Sequence, residues 1–508
     1  MTEAMTNHLF DLIRARQPDL GRPFIETPEG RVFTYGDMHA RSAQYANALV
    51  GLGVKPGDRV TLQVEKSVEA IFAYLGTVRA GGVFLPLNTA YTAPEVEYFL
   101  GDAQPAVFAC DPAHEAALAP IAKAQGVAHL LTLDAAGHGS LSATADAVQT
   151  TFDDVARGPD DLAALLYTSG TTGRSKGAML THDNLASNAV ALAETWRFTA
   201  DDVLIHALPI FHTHGLFVAT NVTLFAGSSM IFLGKFDPDL ILTLMSRASV
   251  MMGVPTFYVR LLKHAGLTND ATSGMRLFIS GSAPLLADTH REWSARTGHA
   301  ILERYGMTET GMNTSNPYDG ERIAGTVGFP LPGIEVRVVS PESGAEIAQG
   351  EIGMIEVKGP NVFTGYWRMP EKTAAEFHDG WFITGDLGLI DARGYVQIVG
   401  RGKDLVITGG YNVYPREVES EIDAIPGVVE SAVIGVPHAD FGEGVTAVLV
   451  CRPGADLDEK AVVGALESRL AKYKLPKRVL FLDDLPRNTM GKVQKNLLRD
   501  QFKALYGA

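Results

Sequence analysis

The densest chemistry in the chain lies in the fourteen residues Tyr167-Thr-Ser-Gly-Thr-Thr-Gly-Arg-Ser-Lys-Gly-Ala-Met-Leu180. Gly170, Gly173 and Gly177 allow positive φ and close approach of the backbone to a ligand. Thr168, Ser169, Thr171, Thr172 and Ser175 bring hydroxyl donors, and Lys176 brings a mobile positive charge. Backbone N–H groups exposed by such a loop form an anion cradle, and a polyphosphate is its natural occupant. A P-loop kinase or GTPase needs a hydroxyl directly after the lysine to hold Mg²⁺. Gly177 stands there instead, so that reading fails. A Gly/Ser/Thr-rich surface loop that binds nothing stays open on composition alone.

Further polar stretches recur downstream: Ser280-Gly-Ser-Ala-Pro284, Glu303-Arg-Tyr-Gly-Met-Thr-Glu309, Thr384-Gly-Asp386, Gly400-Arg-Gly-Lys-Asp404 and Pro486-Arg-Asn-Thr-Met-Gly-Lys492. Each alone could be a turn. Their order and spacing together are specific, and with them the chain resembles the acyl-adenylate-forming superfamily of acyl-CoA synthetases, luciferases and peptide-synthetase adenylation domains. The resemblance runs from about Phe24 to the C-terminus.

It implies a set of roles. The Thr168–Lys176 loop, with Ser169, Gly170, Thr171, Thr172 and Gly173, holds the β- and γ-phosphates of ATP. Glu309 ligates Mg²⁺ with help from Thr168, oxygen donors that suit a hard cation. Tyr305 and Gly306 flank the adenine, with Ser282, Ala283 and Pro284 on its other side. Glu303 and Thr308 belong to the same ATP site. Asp386 accepts hydrogen bonds from the ribose hydroxyls, and Arg401 contacts the same ribose. Lys492 stabilises the charge that grows on the α-phosphate as a carboxylate attacks. His212 joins Lys492, Glu309 and Thr168 in the catalytic set. Lys403 marks a hinge, and Gly409, Gly410 and Tyr411 line the path of the coenzyme A arm. Acetylation of Lys492 by a lysine acetyltransferase would remove its charge and switch adenylation off.

The acyl pocket departs from the common pattern. His206, His212 and His214 crowd "HALPIFHTHG", where the superfamily expects only His212, and "LERYGMTET" carries Arg304. Arg291 lies on an expected helix leaving the Ser280–Pro284 loop. A dicarboxylic acid needs such a cation for its second carboxylate. These stretches resemble malonyl-CoA synthetases, which implies malonate and, as a second substrate, methylmalonate. Arg291 is expected to grip the distal carboxylate, with His206 and Arg304 as further candidates. The rivals are a synthetase for another short acid, a module that loads a carrier protein, a luciferase-type oxygenase and a non-catalytic binding protein. No carrier-type motif follows Lys492, and Lys176, Glu309, Asp386 and Lys492 are all present, which disfavours the carrier-loading and non-catalytic readings.

These residues need rigid supports. Val60–Val64 and Val83–Leu87 read as strands, Ser67–Arg79 as a helix, and Pro94–Leu100 as a helix that Thr92 can cap. Leu162–Leu166 is an apolar run that reads as a buried strand ahead of the phosphate loop. The alternation predicts α/β layers with largely parallel strands. From about Gly325 short β segments take over, such as Glu335–Val339 and Met354–Lys358. From Arg401 a small α+β unit is expected, with helices over 418–425 and 459–472 and strands over 428–436, 445–451 and 477–482. The fold class is therefore a large α/β domain with layered sheets and a β-rich subdomain, residues 1–400, joined by a hinge to a mobile α+β domain, residues 401–508.

Composition limits the partners. The chain has 508 residues, 46% hydrophobic and 20% charged, with a formal net charge of −15. That balance suits a multidomain globular protein and disfavours nucleic acid or an anionic membrane as partner. The N-terminus lacks a secretory pattern. The most apolar region, 203–233, is broken by His206, Pro209, His212, His214 and Asn221, against a membrane span. Cys110 and Cys451 lack metal-ligand spacing and read as buried free thiols. A cytoplasmic enzyme is expected.

Overall fold

Ser67 caps the helix Val68–Arg79 by accepting from the Ala70 amide, and nearly every side chain of that helix is buried. It packs on the helix Tyr35–Gly51, where a Cβ on Gly76 would run into Tyr45. Thr92 and Glu95 form a capping box at the start of Ala93–Ala103. These helices flank parallel strands, as the alternating pattern predicts. The structure, a computed structural model, describes residues 6–507 except 18, 169–174, 409–410, 439, 468, 471 and 489–490.

Two large sheets carry the chemistry. The first has seven strands in the order Gly365–Tyr366, Lys176–Thr181, Leu162–Thr168, Val83–Pro86, Arg59–Gln63, Val107–Cys110 and His129–Thr132. Its last five strands run parallel, and Lys176–Thr181 folds back antiparallel on Leu162–Thr168 with Thr168 opposite Lys176. The second sheet has nine strands. At its centre Val203–His206 lies in parallel between Ser229–Phe232 and Val250–Gly253, followed by Leu277–Ser280 and Leu302–Met307. One apolar core spans both sheets and reaches Ile355 and Val396 of a third, antiparallel sheet. Strand Trp381–Ile390 of that sheet pairs with Val396–Arg401, setting Asp386 opposite Arg401.

The fourth sheet, with Val406–Thr408, Tyr411–Val413, Val428–His438, Gly442–Cys451 and Arg478–Phe481, begins after the single turn Gly402–Asp404. The two apolar clusters that cover its faces draw on no residue before Val406. The last expected helix is shorter than its apolar spacing suggests. Asp458 caps Glu459–Leu466, and Lys472–Lys474 forms a separate 3₁₀ turn, where Tyr473 stacks on Tyr411 and Lys474 pairs with Glu417. Cys110 is buried, whereas Cys451, expected to be buried, is partly exposed; both are free thiols. No helix among the described residues is long and apolar enough to cross a membrane. The apolar stretch after His212 instead forms a buried π-helix, His214–Thr220, running into the helix Asn221–Ala226.

Candidate active site

Parallel sheets gather function at the carboxyl ends of their strands. Thr168 ends one strand, His206 a second and Ser280 a third; Arg304 and Tyr305 sit on Leu302–Met307. The third sheet closes the site with Asp386, and its Arg401 meets the small domain.

The nucleoside end is tightly wired. Asp386 is 4% exposed. Tyr305 Oη donates to its carboxylate at 2.6 Å, and Arg401 Nε pairs with it at 2.7 Å. The Asp386 charge raises the Arg401 pKa further. Lys492 lies in the cleft between the domains, facing Arg401, Asp386, Lys403 and Asp404; the cleft walls, then Arg401, hold its pKa below the ordinary lysine value. Lys403 and Tyr411 are exposed, and the neighbouring Asp404 pairs with Arg499 at 2.5 Å. Glu303 is buried and pushed up to about 7 by desolvation, and the Gly325 amide donates to it. Ser282, Ala283 and Pro284 follow Ser280 and Gly281. Ser282 has φ +71°, a left-handed conformation uncommon outside glycine and a mark of functional loops.

At the phosphate end, Ser169, Gly170, Thr171, Thr172 and Gly173 lie outside the described residues, as do Gly409 and Gly410 of the coenzyme A path. Thr168 and Lys176 frame the phosphate loop from its paired strands. Lys176 Nζ lies 4.0 Å from the Tyr366 ring centre and pairs with Glu376 at 3.1 Å. Tyr366 Oη lies 3.0 Å from Glu309 Oε1 and 2.6 Å from Glu376 Oε2. Glu309 is buried, and burial raises its pKa. Among the described residues no group of three or more His, Cys, Asp or Glu side chains could hold a metal. Glu309 and Thr168 offer oxygen donors, the kind a hard cation such as Mg²⁺ takes. Tyr366 and Glu376 had no signal in the sequence reading, because pairing across Gly365–Tyr366 and Lys176–Thr181 brings them in from almost two hundred residues away.

At the acyl end the structure separates the three candidates Arg291, His206 and Arg304. Arg291 sits on the helix Ala287–Thr297 with its side chain 67% exposed, paired with Asp288 one turn back. That is a solvated surface pair. Arg304 is the enclosed cation: it is 4% exposed, and its Nε and Nη2 find no hydrogen-bond partner among the described residues. Desolvation drags its pKa down to about 9. A Cβ on Gly281 would fall inside this guanidinium, so the arginine tip keeps its present place only beside a residue without a side chain. His214 Nδ1 lies 3.1 Å from Ser282 Oγ, and its Nε2 is buried without a partner. His212 is pushed down to about 4 by burial and the Arg304 and Lys492 charges, so it is neutral at pH 7. Ser280 Oγ is also buried and unpaired. His206 is fully buried with both ring nitrogens engaged, by Lys66 and the Gly215 carbonyl, and is not free to take a substrate carboxylate. Arg304, His214 Nε2 and Ser280 Oγ thus form a group of buried polar atoms without a partner among the described residues at this end of the site.

The AMP-binding enzyme family matches residues 13–367, and the AMP-binding enzyme C-terminal domain matches 417–492. ATP-bound MatB from Rhodopseudomonas palustris is 65% identical, covers 99% of this chain and 100% of its own, and superposes with a TM-score of 0.97. Apo MatB, also 65% identical with the same coverage, gives 0.86. A malonate–CoA ligase from Arabidopsis thaliana is 36% identical over 94% of this chain and 85% of the relative. A feruloyl-CoA synthase from Amycolatopsis sp is 38% identical over 93% and 94%. With both domains matched almost end to end, the chain belongs to the AMP-binding enzyme family.

Proposed function

We propose that this protein is a malonate–CoA ligase that turns malonate, ATP and coenzyme A into malonyl-CoA, AMP and pyrophosphate, with methylmalonate as a second substrate. The observation that carries the acid's identity is Arg304, a buried guanidinium with unpaired Nε and Nη2 at the acyl end of the site. A desolvated cation without a counter-ion is expensive, and a second carboxylate on the substrate repays it with charge-assisted hydrogen bonds. Similarity points the same way: MatB is 65% identical over almost the whole chain and a malonate–CoA ligase 36%, beside a feruloyl-CoA synthase at 38%. An apolar aryl tail would leave Arg304 unpaired, and so would acetate or propionate.

In the first step a carboxylate oxygen of the acid attacks the α-phosphorus and pyrophosphate leaves. Glu309 and Thr168 would hold a Mg²⁺ ion, which would supply charge neutralisation on the phosphate chain. Lys492 meets the charge that develops at the α-phosphate. Tyr305, Asp386 and Arg401 hold the nucleoside, and Lys176 serves the outer phosphates. Neutral His212 feels the charges of both Arg304 and Lys492. The better superposition on the ATP-bound neighbour than on the apo one supports an arrangement suited to this step. In the second step the coenzyme A thiol attacks the acyl carbon and AMP leaves. The small domain, residues 401–508, swings about the turn at Lys403 so that Tyr411 with Gly409 and Gly410 borders the pantetheine path.

Acetylation of Lys492 by a lysine acetyltransferase would neutralise its charge and stop adenylation. The reaction belongs to the cytoplasm. The test is AMP release with malonate, methylmalonate, acetate, propionate, butyrate and a cinnamate. A kcat/KM preference for malonate over propionate of at least about a hundredfold is expected, the scale of one lost buried charge pair. A preference for a monocarboxylate would overturn the substrate and leave the adenylation chemistry standing.

A further inference from the structure

Lys66 lies in the loop after the strand Arg59–Gln63, at the carboxyl end of the seven-stranded sheet, yet it is buried. Its Nζ lies 2.9 Å from His206 Nδ1 and 2.8 Å from the His206 carbonyl oxygen, both at the carboxyl end of a strand in the nine-stranded sheet. It also stands 4.1 Å from the ring centre of Phe232. No carboxylate pairs with it among the described residues. A buried lysine is costly to keep, and burial holds its pKa well below the ordinary value. Nothing in the adenylation chemistry uses it.

The hydrogen bonds define what it does to His206. The Gly215 carbonyl facing Nε2 can only accept, so the proton of the neutral ring sits on Nε2, and Nδ1 accepts from the Lys66 amine. Nε2 then donates to the Gly215 carbonyl at 2.9 Å, which also accepts from Thr220 Oγ1 at 3.0 Å. Gly215 belongs to the π-helix His214–Thr220, an irregular geometry found often at functional sites. His214, next to Gly215, reaches Ser282 Oγ at 3.1 Å, and Ser282 adjoins the Gly281 that packs on Arg304.

We propose that Lys66 is a specificity-determining positioning residue: by bonding Nδ1 it fixes the orientation of His206, and so holds the His214–Thr220 turn, and with it His214 and Ser282, in register with Arg304 for an acid with a second carboxylate. The inference rests on the reading of the acyl pocket as a dicarboxylate site. Lys66 touches neither ATP nor the reacting carboxylate.

The experiment measures kcat and KM for malonate and for propionate, with KM for ATP, in the wild-type enzyme, Lys66→Met, His206→Phe and the double variant. Methionine keeps the length of the side chain and removes the donor; phenylalanine fills the imidazole space beside Phe232. Lys66→Met is expected to raise KM for malonate at least tenfold, while kcat/KM for propionate and KM for ATP stay within about twofold. The double variant is expected to be no worse than the worse single one, since residues acting through one relay are not additive. Equal losses for both acids would mark Lys66 as merely structural and overturn the proposal, as would additive losses in the double variant. A selective wild type whose malonate-to-propionate ratio survives Lys66→Met overturns this inference alone. A wild type that does not discriminate overturns the pocket reading and this inference with it. Should Lys66→Met fail to fold, His206→Phe reads the same relay with the same outcomes.

Discussion

Replacing Arg304 by methionine should trade substrate affinity for stability. Burial lowers the Arg304 pKa from 12.5 to about 9. At 1.36 kcal/mol per unit, a fall of roughly 3.5 units corresponds to about 5 kcal/mol of penalty on the charged form, an upper bound because the site relaxes. In the free enzyme nothing among the described residues offsets that cost through Nε or Nη2. Arg304→Met removes it and keeps much of the packing volume, so the ligand-free variant should melt higher than the wild type. Malonate then loses its partner. Breaking one side of a buried pair costs about 3–5 kcal/mol, or some two to four powers of ten in kcat/KM. Propionate never engaged the guanidinium and should hold its rate or gain, and KM for ATP should not move. AMP release with both acids, together with a thermal melt without ligands, reads all of this. A malonate-to-propionate ratio within threefold of the wild type would refute the reasoning, whatever the melt shows.

Lys492→Gln should cut malonate-dependent pyrophosphate exchange by at least about a hundredfold, the usual loss on removing one transition-state donor. Thioester formation from supplied malonyl-adenylate and coenzyme A should stay within a few fold, and a parallel loss in both halves would contradict the assigned role. Asp386→Ala strips Tyr305 and Arg401 of their shared acceptor at 2.6 and 2.7 Å. Charge-assisted hydrogen bonds contribute about 1.5–3 kcal/mol, so KM for ATP should rise roughly ten- to a hundredfold while KM for malonate holds. An unchanged ATP KM would remove Asp386 from the nucleoside site. Glu303 sets a pH dependence: its folded pKa of about 7 lies above the ordinary 4.5, so the unfolded chain releases the proton first as pH rises. Its contribution therefore lowers stability between about pH 4.5 and 7, by a total of order 3 kcal/mol, and the loss is complete above pH 7. The melting-temperature advantage of Glu303→Gln over wild type should grow from pH 5 to pH 8, and a constant difference would refute the assignment.

Much of the scaffold was legible because local rules and tertiary packing agree. Thr92 caps a helix where the sequence places it, the helix expected over 67–79 forms with Ser67 as its cap, and the runs over 60–64, 83–87 and 162–166 each supply a strand of the first sheet. The π-helix was not legible: apolar spacing in 214–220 speaks for burial but not for the wider turn, which depends on Thr220 and His206 reaching the Gly215 carbonyl. Arg291 and Arg304 show the limit at the site. Both are arginines near the Ser280–Pro284 loop, and residue type alone does not separate them. Arg291 stands on an outer helix face with an acid one turn back, whereas Arg304 occupies a strand that packs into the interior. Lys66 and Glu376 carried no motif, because their meaning comes from partners 140 and 200 residues away.

The close fit between Gly281 and the Arg304 guanidinium also constrains how this enzyme could change its diet. A lineage moving toward bulkier or uncharged acids has reason to alter both positions. While Arg304 keeps its place, a side chain at 281 meets the tip of its guanidinium, so a larger residue there asks the arginine to move. A change at 304 relieves that contact, and a bulky residue at 281 would in turn crowd a returning arginine. The two positions are thus coupled, and a substitution at one changes the cost of a substitution at the other.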